Sequence, residues 1–235
     1  MNRVFIGYDS REDIAYQVLK YSIEQHASRP LDIRPLKIAQ LDFRRHDPLA
    51  STEFTFTRFL VPSLCDYQGL AIFMDCDMVA LADLNQVFDL DMTDLALRVV
   101  KHDYRPTATV KMDGKVQTVY PRKNWSSFML MNCAKLKLWT REAVETKPPS
   151  WLHRFEGIPD EEIGDLPFTW NVLDRYENDT QLIHYTEGGP WFEKYKDHPY
   201  GDVWLKYYHA YLNSRGAAGS KEALPFLPAP RAAHV

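Results

Sequence analysis

The sequence has 235 residues, enough to bury a hydrophobic core, and its 45% hydrophobic and 26% charged residues are typical of a globular protein. A formal net charge of -4 without a block of Lys or Arg argues against nucleic-acid binding. The 3 cysteines lack C-x-x-C spacing, so neither a disulfide framework nor a zinc site is predicted. Without a membrane-span-length apolar run or a recognisable signal peptide, we predict a cytoplasmic protein.

The first predicted element is a strand over residues 3–9, followed at once by a helix. The strand ends in Tyr8 and Asp9, and apolar residues such as Ile14 and Val18 recur behind it at helical spacing. The turn lacks the glycines of a dinucleotide-binding loop or a P-loop, so neither site is predicted. A strand, a tight turn and a helix in this order favour an α/β fold of the Rossmann-like type, with helices flanking the sheet.

The second strand, predicted over residues 31–38, contains Pro35. Proline lacks the N–H that a central strand needs, so this strand is predicted to lie at the sheet edge or to carry a bulge.

The stretch over residues 69–84 carries the most informative chemistry. Its apolar residues 70–74 are typical of a strand that is buried on both faces of a mostly parallel sheet. Asp75 and Asp77 follow at the carboxyl end of this strand, where open α/β sheets bind ligands. Because alternate residues of an extended segment point the same way, the two carboxylates offer half of a site for Mg²⁺ or Mn²⁺. The alternative interpretation is a solvated strand end without a function.

Two cations flank this stretch. Arg58 lies on a helix predicted before it, either as a surface side chain or as a guanidinium that suits a carboxylate or a phosphate. Lys101 follows a strand predicted over residues 95–100. Residues 104–120, with the turn signal Asp-Gly inside them, are predicted to form a small hairpin insertion.

A polar segment with Trp125, Ser126 and Ser127 precedes a buried strand predicted over residues 128–131. Small hydroxyl residues at such a position let a ligand approach the backbone closely, or they simply form a turn. A helix is predicted over residues 133–145, because its Lys, Leu and Trp residues are followed by two prolines that stop it.

The last predicted strand, over residues 181–185, contains His184. A single strand histidine is more often a core residue than a ligand, but Gly188 and Gly189 follow it in a loop whose backbone suits an anion. The aromatic segment over residues 191–211 either packs internally or meets a membrane surface. Beyond residue 212 the chain is rich in Ala, Pro and Gly, so residues 213–235 are predicted to be a flexible or loosely docked tail.

Taken together, these landmarks resemble the nucleotide-sugar-dependent glycosyltransferases of the GT-A fold, most nearly those of family 8. The resemblance spans residues 3–192 and implies one GT-A domain over residues 1–212 with a mixed, mostly parallel sheet. It implies transfer of a sugar from a nucleotide diphosphate sugar, preferably a UDP-sugar, to an acceptor hydroxyl with retention of configuration. The segments that carry it are Ile6–Asp9, Thr57–Leu60, Phe73–Val79 with Asp83 and Leu84, Trp125–Asn132 and His184–Trp191.

The resemblance also implies roles for individual residues. Asp75, Asp77 and His184 are the implied ligands of a divalent ion, and the imidazole favours Mn²⁺ over Mg²⁺. The other implied roles are nucleotide binding by Tyr8, Asp9, Arg58, Asp75 and Cys76; sugar binding by Lys101, Trp125, Ser126, Ser127 and Asp165; diphosphate binding by His184, Gly188 and Gly189; and catalysis by Asp75, Asp77 and Asp165.

Three departures from the family pattern affect the predicted sugar pocket. The family has Asn-Ala-Gly at residues 125–127, Asp-Gln-Asp at residues 166–168, and Lys at Gly189. Asp165 is the candidate replacement for the lost acid, and Asn171 matches the asparagine that closes the second pattern. These departures leave the donor sugar and the stereochemical outcome open.

Several alternatives remain at the level of function. A nucleotide-sugar hydrolase or a nucleotidyltransferase would use a similar sheet, although the acidic first turn argues against the second. A catalytically silent sugar-binding or scaffolding domain would keep the fold without the chemistry. A carbohydrate, a glycolipid or a protein would each serve as acceptor, contact with the inner face of the membrane stays open, and the sequence predicts no oligomeric state.

Overall fold

The computed structural model describes residues 1–48, 50–103 and 122–216. The predicted hairpin over residues 104–120 and most of the predicted tail lie outside the described residues. The strands are β1 Asn2–Gly7, β2 Leu31–Leu36, β3 Leu70–Met74, β4 Met78–Ala80, β5 Leu97–Val99, β6 Phe128–Asn132, β7 Ile163–Asp165, β8 Val172–Leu173 and β9 Leu182–His184. The α-helices are α1 Asp13–His26, α2 Val61–Leu64, α3 Asn85–Phe88, α4 Arg141–Thr146, α5 Pro149–His153 and α6 Gly201–Ser214.

The main sheet has six strands in the order β2-β1-β3-β6-β5-β7. The pairs β1–β2, β1–β3 and β5–β7 are parallel, whereas β6 runs antiparallel to both β3 and β5. The mixed, mostly parallel α/β sheet expected from the sequence is therefore confirmed. Pro35 lies in β2 at one edge of the sheet, where its missing N–H costs no ladder hydrogen bond.

The centre of the sheet is apolar because β3 is covered on both faces. Ala71, Ile72, Phe73 and Met74 have no exposed surface, and α1 packs nearby through a stripe of apolar residues at helical spacing. Both β1 and β3 end at the same edge, since they are parallel neighbours. The polar residues that follow these two strands are thereby brought to one rim.

A second sheet has three strands in the order β4-β9-β8. Three residues separate the end of β3 from the start of β4, so β4 leads the chain from the rim directly into this sheet. The last helix, α6, packs against α1. The aromatic residues Trp191, Trp204, Tyr207 and Tyr208 are buried there, so most of this aromatic segment packs internally.

The helix predicted over residues 133–145 is wrong in its first half. Cys133–Lys135 forms a short 3-10 turn, and α4 begins only at Arg141 after Thr140, whose hydroxyl accepts from the N–H of Ala143. Trp139 is completely buried, and a continuous helix would compete with its packing against Phe59 and Phe155. Tertiary packing therefore overrides helix propensity in this segment.

The segment before β3 is also shorter than a regular helix. It consists of a 3-10 turn over Thr57–Leu60 followed by the single turn of α2. Among the helices of the described part of the chain, none combines the length and the apolar character that crossing a bilayer requires.

Candidate functional site

The two aspartates of the central motif stand at the end of the most buried strand. Asp75 follows β3 directly, and its N–H donates to the carbonyl of Ser127 at 2.9 Å, which continues the β3–β6 pairing by one residue. Asp77 lies one residue before β4, and its carbonyl accepts from the N–H of Tyr185 at 2.9 Å. Cys76, between them, is 1% exposed, so its thiol packs into the core.

His184 reaches the two aspartates through the second sheet. Antiparallel pairing of β4 and β9 sets His184 opposite Met78, the neighbour of Asp77. The Nε2 atom of His184 lies 3.2 Å from Oδ1 of Asp77 and 4.0 Å from Oδ2 of Asp75. One ligand atom from each of the three residues falls within 4.8 Å of the others, a spacing that a single metal ion can bridge.

The charges of Asp75, Asp77 and His184 favour the binding of a cation. Burial raises the pKa of Asp75 to about 7, although the Arg58 guanidinium acts to lower it. Burial by itself would lower the pKa of His184, but the carboxylates of Asp77 and Asp75 raise it above its ordinary value. Oδ1 of Asp75 and Oδ1 of Asp77 are buried atoms without a hydrogen-bond partner among the described residues.

Oδ1 of Asp75 faces the guanidinium of Arg58, and Oδ1 of Asp77 faces the imidazole of His184. Buried carboxylate oxygens without a hydrogen bond are costly unless a further group satisfies them. Two carboxylates and one imidazole are ligands that Mn²⁺ and Mg²⁺ accept, the imidazole being better suited to the softer ion. The donor set and its unsatisfied oxygens therefore fit a divalent cation.

Arg58 is buried beside Asp75 and is not a surface residue. Its Nη1 atom lies 3.0 Å from Oδ1 of Asp75 and donates to the carbonyl of Ser126 at 2.8 Å. The guanidinium carbon lies 4.9 Å from the centroid of the Phe73 ring. The Arg58 guanidinium therefore contacts both Asp75 and the ring of Phe73.

Residues 125–127, directly before β6, make hydrogen bonds within the protein. The side chains of Ser126 and Ser127 are nearly completely buried. Oγ of Ser126 hydrogen-bonds Nδ1 of His153 at 3.1 Å, and the indole N–H of Trp125 donates to the carbonyl of His102 at 3.1 Å.

The end of β1 supplies a second polar cluster. Asp9 has no exposed surface, and its carboxylate accepts from the guanidinium of Arg11 and from the N–H of Glu53. The hydroxyl of Tyr8 donates to Asp13 at 2.7 Å, and Nζ of Lys37 lies 4.3 Å from the centroid of the Tyr8 ring. The predicted nucleotide residues Tyr8 and Asp9 thus have protein partners of their own.

Lys101 and Asp165 pair with each other. Nζ of Lys101 lies 3.3 Å from Oδ1 of Asp165, whose side chain is 73% exposed. In the described ranges, neither forms a hydrogen bond or an ion pair with Asp75, Asp77 or His184. These contacts therefore do not connect Lys101 or Asp165 to the Asp75, Asp77 and His184 group.

The loop after β9 is shaped by its two glycines. Gly188 has a φ of +122°, which side chains other than glycine rarely adopt, and a Cβ at Gly189 would overlap the ring of Trp191. Trp191 is fully buried and donates its indole N–H to Oε2 of Glu12 at 3.2 Å. The lysine of the family pattern would not fit here without moving that ring.

Glu12 is a residue near the site that reasoning from the sequence missed. Burial, together with the charges of Asp77 and Asp9, raises the pKa of its carboxyl to about 8. In the sequence it looks like an ordinary acid in the first turn of a helix. Its hydrogen bond with Trp191, far along the chain, shows that its carboxylate is partly buried.

Comparison with solved structures agrees with this architecture. The galactosyltransferase LgtC, solved with donor and acceptor sugar analogs, matches over 89% of this chain and 96% of its own with a TM-score of 0.59 and 14% identity. The glycosyltransferase GlyE of Streptococcus pneumoniae TIGR4 matches over 94% of this chain with a TM-score of 0.56 and 15% identity. The match covers 66% of the GlyE chain, just under two thirds. The fold is that of a GT-A glycosyltransferase.

The sequence comparisons define the family. The model of glycosyl transferase family 8 matches residues 6–179, which include the central motif, the last two residues of β1 and all of β2 to β8. Protein CDI of Arabidopsis thaliana is 49% identical over 218 residues, covering 86% of this chain and 84% of that protein. The chain belongs to glycosyl transferase family 8, and it is a glycosyltransferase, as its sequence motifs predict.

Proposed function

We propose that this enzyme transfers a sugar from a nucleotide diphosphate sugar to an acceptor hydroxyl with the help of a divalent cation. The observation that carries the proposal is the convergence of Asp75, Asp77 and His184 within 4.8 Å, with two buried carboxylate oxygens that have no hydrogen-bond partner among the described residues. These three residues would hold Mn²⁺ or Mg²⁺, and a bound ion would supply Lewis-acid stabilisation of the charge that develops on the leaving diphosphate.

Residues near Asp75, Asp77 and His184 would bind the nucleoside and the diphosphate of the donor. Arg58, fixed by Ser126, supports the ionised form of Asp75 and brings positive charge to the same rim. Tyr8, at the end of the parallel neighbour of β3, would contact the nucleoside, and the buried Asp9 would hold Arg11 and the N–H of Glu53 in the same cluster. The backbone around Gly188 and Gly189 would approach the diphosphate, because the loop follows His184 directly.

The sugar would be bound on the β6 and β7 side of the rim. Ser126, Ser127 and Trp125 precede β6, and Lys101 and Asp165 form a polar pair at the ends of β5 and β7. We assign Asp165 as the acid that orients the donor sugar, in place of the acid that the family pattern has nearby. No nucleophile is assigned, and retention of configuration rests on the family resemblance.

A UDP-sugar is the proposed donor, also on the basis of that resemblance. The acceptor is a carbohydrate, a glycolipid or a protein. The cysteines Cys65, Cys76 and Cys133 are free and buried, which agrees with the proposed cytoplasmic location.

A thermal-shift screen with UDP-, GDP- and CMP-sugars, each with Mn²⁺ or with a chelator, tests the proposal. We expect UDP-sugars to raise the Tm only when Mn²⁺ is present, and Asp75→Ala to abolish that increase. Stabilisation by GDP- or CMP-sugars alone would refute the choice of donor. If none of the nucleotide sugars stabilises the protein with any metal, the proposal itself is wrong. Release of free sugar at the same rate with and without candidate acceptors would instead favour a hydrolase.

A further inference from the structure

A chain of buried hydrogen bonds runs from the turn before β6 to His184. Oγ–H of Ser127 donates to the carbonyl of Asn124 at 2.7 Å, and Nδ2 of Asn171 donates to Oγ of Ser127 at 2.8 Å. Oδ1 of Asn171 lies 3.0 Å from Nδ1 of His184. The three side chains of Ser127, Asn171 and His184 are all at most 3% exposed, so water does not compete for these bonds.

The chemistry of the groups fixes the direction of every bond in this chain. A carbonyl only accepts, so the Ser127 hydroxyl must give its one proton to Asn124. Its oxygen then accepts from Asn171, which must present Nδ2 to Ser127 and Oδ1 to His184. Because an amide oxygen only accepts, Nδ1 of His184 must carry the proton.

A proton on Nδ1 also determines the state of the other ring nitrogen of His184, Nε2. With Nδ1 protonated and donating, the neutral imidazole has its lone pair on Nε2, the atom that lies 3.2 Å from Asp77 and 4.0 Å from Asp75. That is the tautomer and the orientation that a metal ligand requires. Ser127 also accepts the N–H of Asp75 through its own carbonyl, so one residue connects two of the three ligands.

We propose that Asn171 and Ser127 are positioning residues that set the tautomer and the ring orientation of His184 for binding the divalent cation. The inference rests on the proposed function, because it takes the Asp75, Asp77 and His184 group to be a metal site. It goes beyond that function by assigning a role to Ser127, which stands where the family pattern has glycine, and by defining what Asn171 does.

Calorimetric titration of the 235-residue chain with Mn²⁺ alone, without nucleotide, tests the proposal. We expect Asn171→Ala to weaken Mn²⁺ binding about 10- to 100-fold, the range typical of lost partners of metal-bound histidines. Ser127→Ala should weaken it less, because Asn171 keeps its bond to His184 but loses the group that orients it. Asn171→Asp should bind Mn²⁺ more tightly than Asn171→Ala, since a carboxylate also accepts from Nδ1–H, although it cannot donate to Ser127.

The matched control is Asn85→Ala, which removes another buried asparagine, one whose amide is hydrogen-bonded to Asp83 and the carbonyl of Arg29. It should lower the Tm of the metal-free protein without changing Mn²⁺ affinity, which separates a loss of stability from a loss of positioning. If Asn171→Ala does not fold by circular dichroism, Ser127→Ala and the rescue by Asn171→Asp decide the matter.

The outcomes distinguish the two proposals. If Asp77→Asn abolishes Mn²⁺ binding while Asn171→Ala and Ser127→Ala bind like the wild type, the positioning role is wrong and the metal site stands. If the wild type itself does not bind Mn²⁺, both proposals are overturned.

Discussion

Nε2 of His184 lies 3.2 Å from Oδ1 of Asp77, because antiparallel pairing of β4 and β9 sets the histidine opposite the residue that follows Asp77. The contact is not a satisfied hydrogen bond, since Oδ1 of Asp77 has no hydrogen-bond partner among the described residues. Two candidate ligands from distant parts of the chain are thus held close together, at a spacing that a divalent cation can bridge. The first prediction follows from this arrangement.

Asp77→Asn should abolish the stabilisation of the protein by Mn²⁺. The substitution keeps the size of the side chain but removes the charge that a divalent cation needs. Ligand binding at about 100 times Kd stabilises a protein by about 2.7 kcal/mol, and this increment should disappear. The measurement is the Tm with and without Mn²⁺. Asp89→Asn, at an exposed ion pair with Arg29, is the control and should keep the wild-type increment; an unchanged increment in Asp77→Asn would contradict the assignment.

Arg58→Met should destabilise the metal-free protein by about 3 kcal/mol, at the low end for removing one partner of a buried ion pair. The low end is expected because the pKa of Asp75, already about 7, lets the abandoned carboxylate take up a proton. Urea denaturation at pH 7 measures the loss.

The double variant Arg58→Met with Asp75→Asn tests whether the ion pair is responsible. It removes both charges, so it should be more stable than Arg58→Met alone. Strict additivity of the two single losses would show that the pair is not coupled.

The contributions of His153 and His102 to the stability of the fold should decrease as the pH falls below about 6.5. Burial lowers the pKa of His153 to about 3 and that of His102 to about 4, so both rings stay neutral in the native state where the unfolded chain already binds protons. The stabilisation is complete above the ordinary histidine pKa and is lost as the pH falls toward these values. Each ring contributes at most about 1.4 kcal/mol per pH unit to the slope.

His153→Phe checks this effect. It should remove the contribution of one buried histidine from the slope of unfolding free energy against pH between 6.5 and 4, measured by urea denaturation at fixed ionic strength. His209→Gln, on the exposed face of α6, is the matched control and should keep the wild-type slope. A slope that His153→Phe leaves unchanged would contradict the burial argument.

Gly189→Ala should destabilise the protein by about 1–3 kcal/mol, the usual cost of overpacking a core. The new Cβ would overlap the ring of Trp191, which must then shift and strain its bond to Glu12. Thermal unfolding and nucleotide-sugar binding are the measurements, and both should be impaired. Gly201→Ala, whose Cβ would meet Pro190 at an ordinary 3.5 Å, should be tolerated. Equal Tm values for the two variants would show that the Trp191 ring is not fixed.

The fold follows from the sequence wherever the signal is local. Hydrophobic runs and their bounding acids predict β1, α1 and β3 correctly, because burial of a strand or of one helix face depends on residues close in the chain. The helix predicted from residue 133 fails, because the burial of Trp139 is decided by Phe59 and Phe155, which no local pattern reveals.

The sequence by itself determined that Asp75 and Asp77 end a buried strand, since alternation and apolar runs are local properties of the chain. Only the tertiary structure decided which residues contact these two aspartates. His184 is an ordinary strand histidine until β4–β9 pairing brings it to Asp77, and Asn171 acquires its role only through contact with that ring. Such contacts join segments that are far apart in the chain, so their geometry is set by the packing of whole sheets and not by the residues on either side.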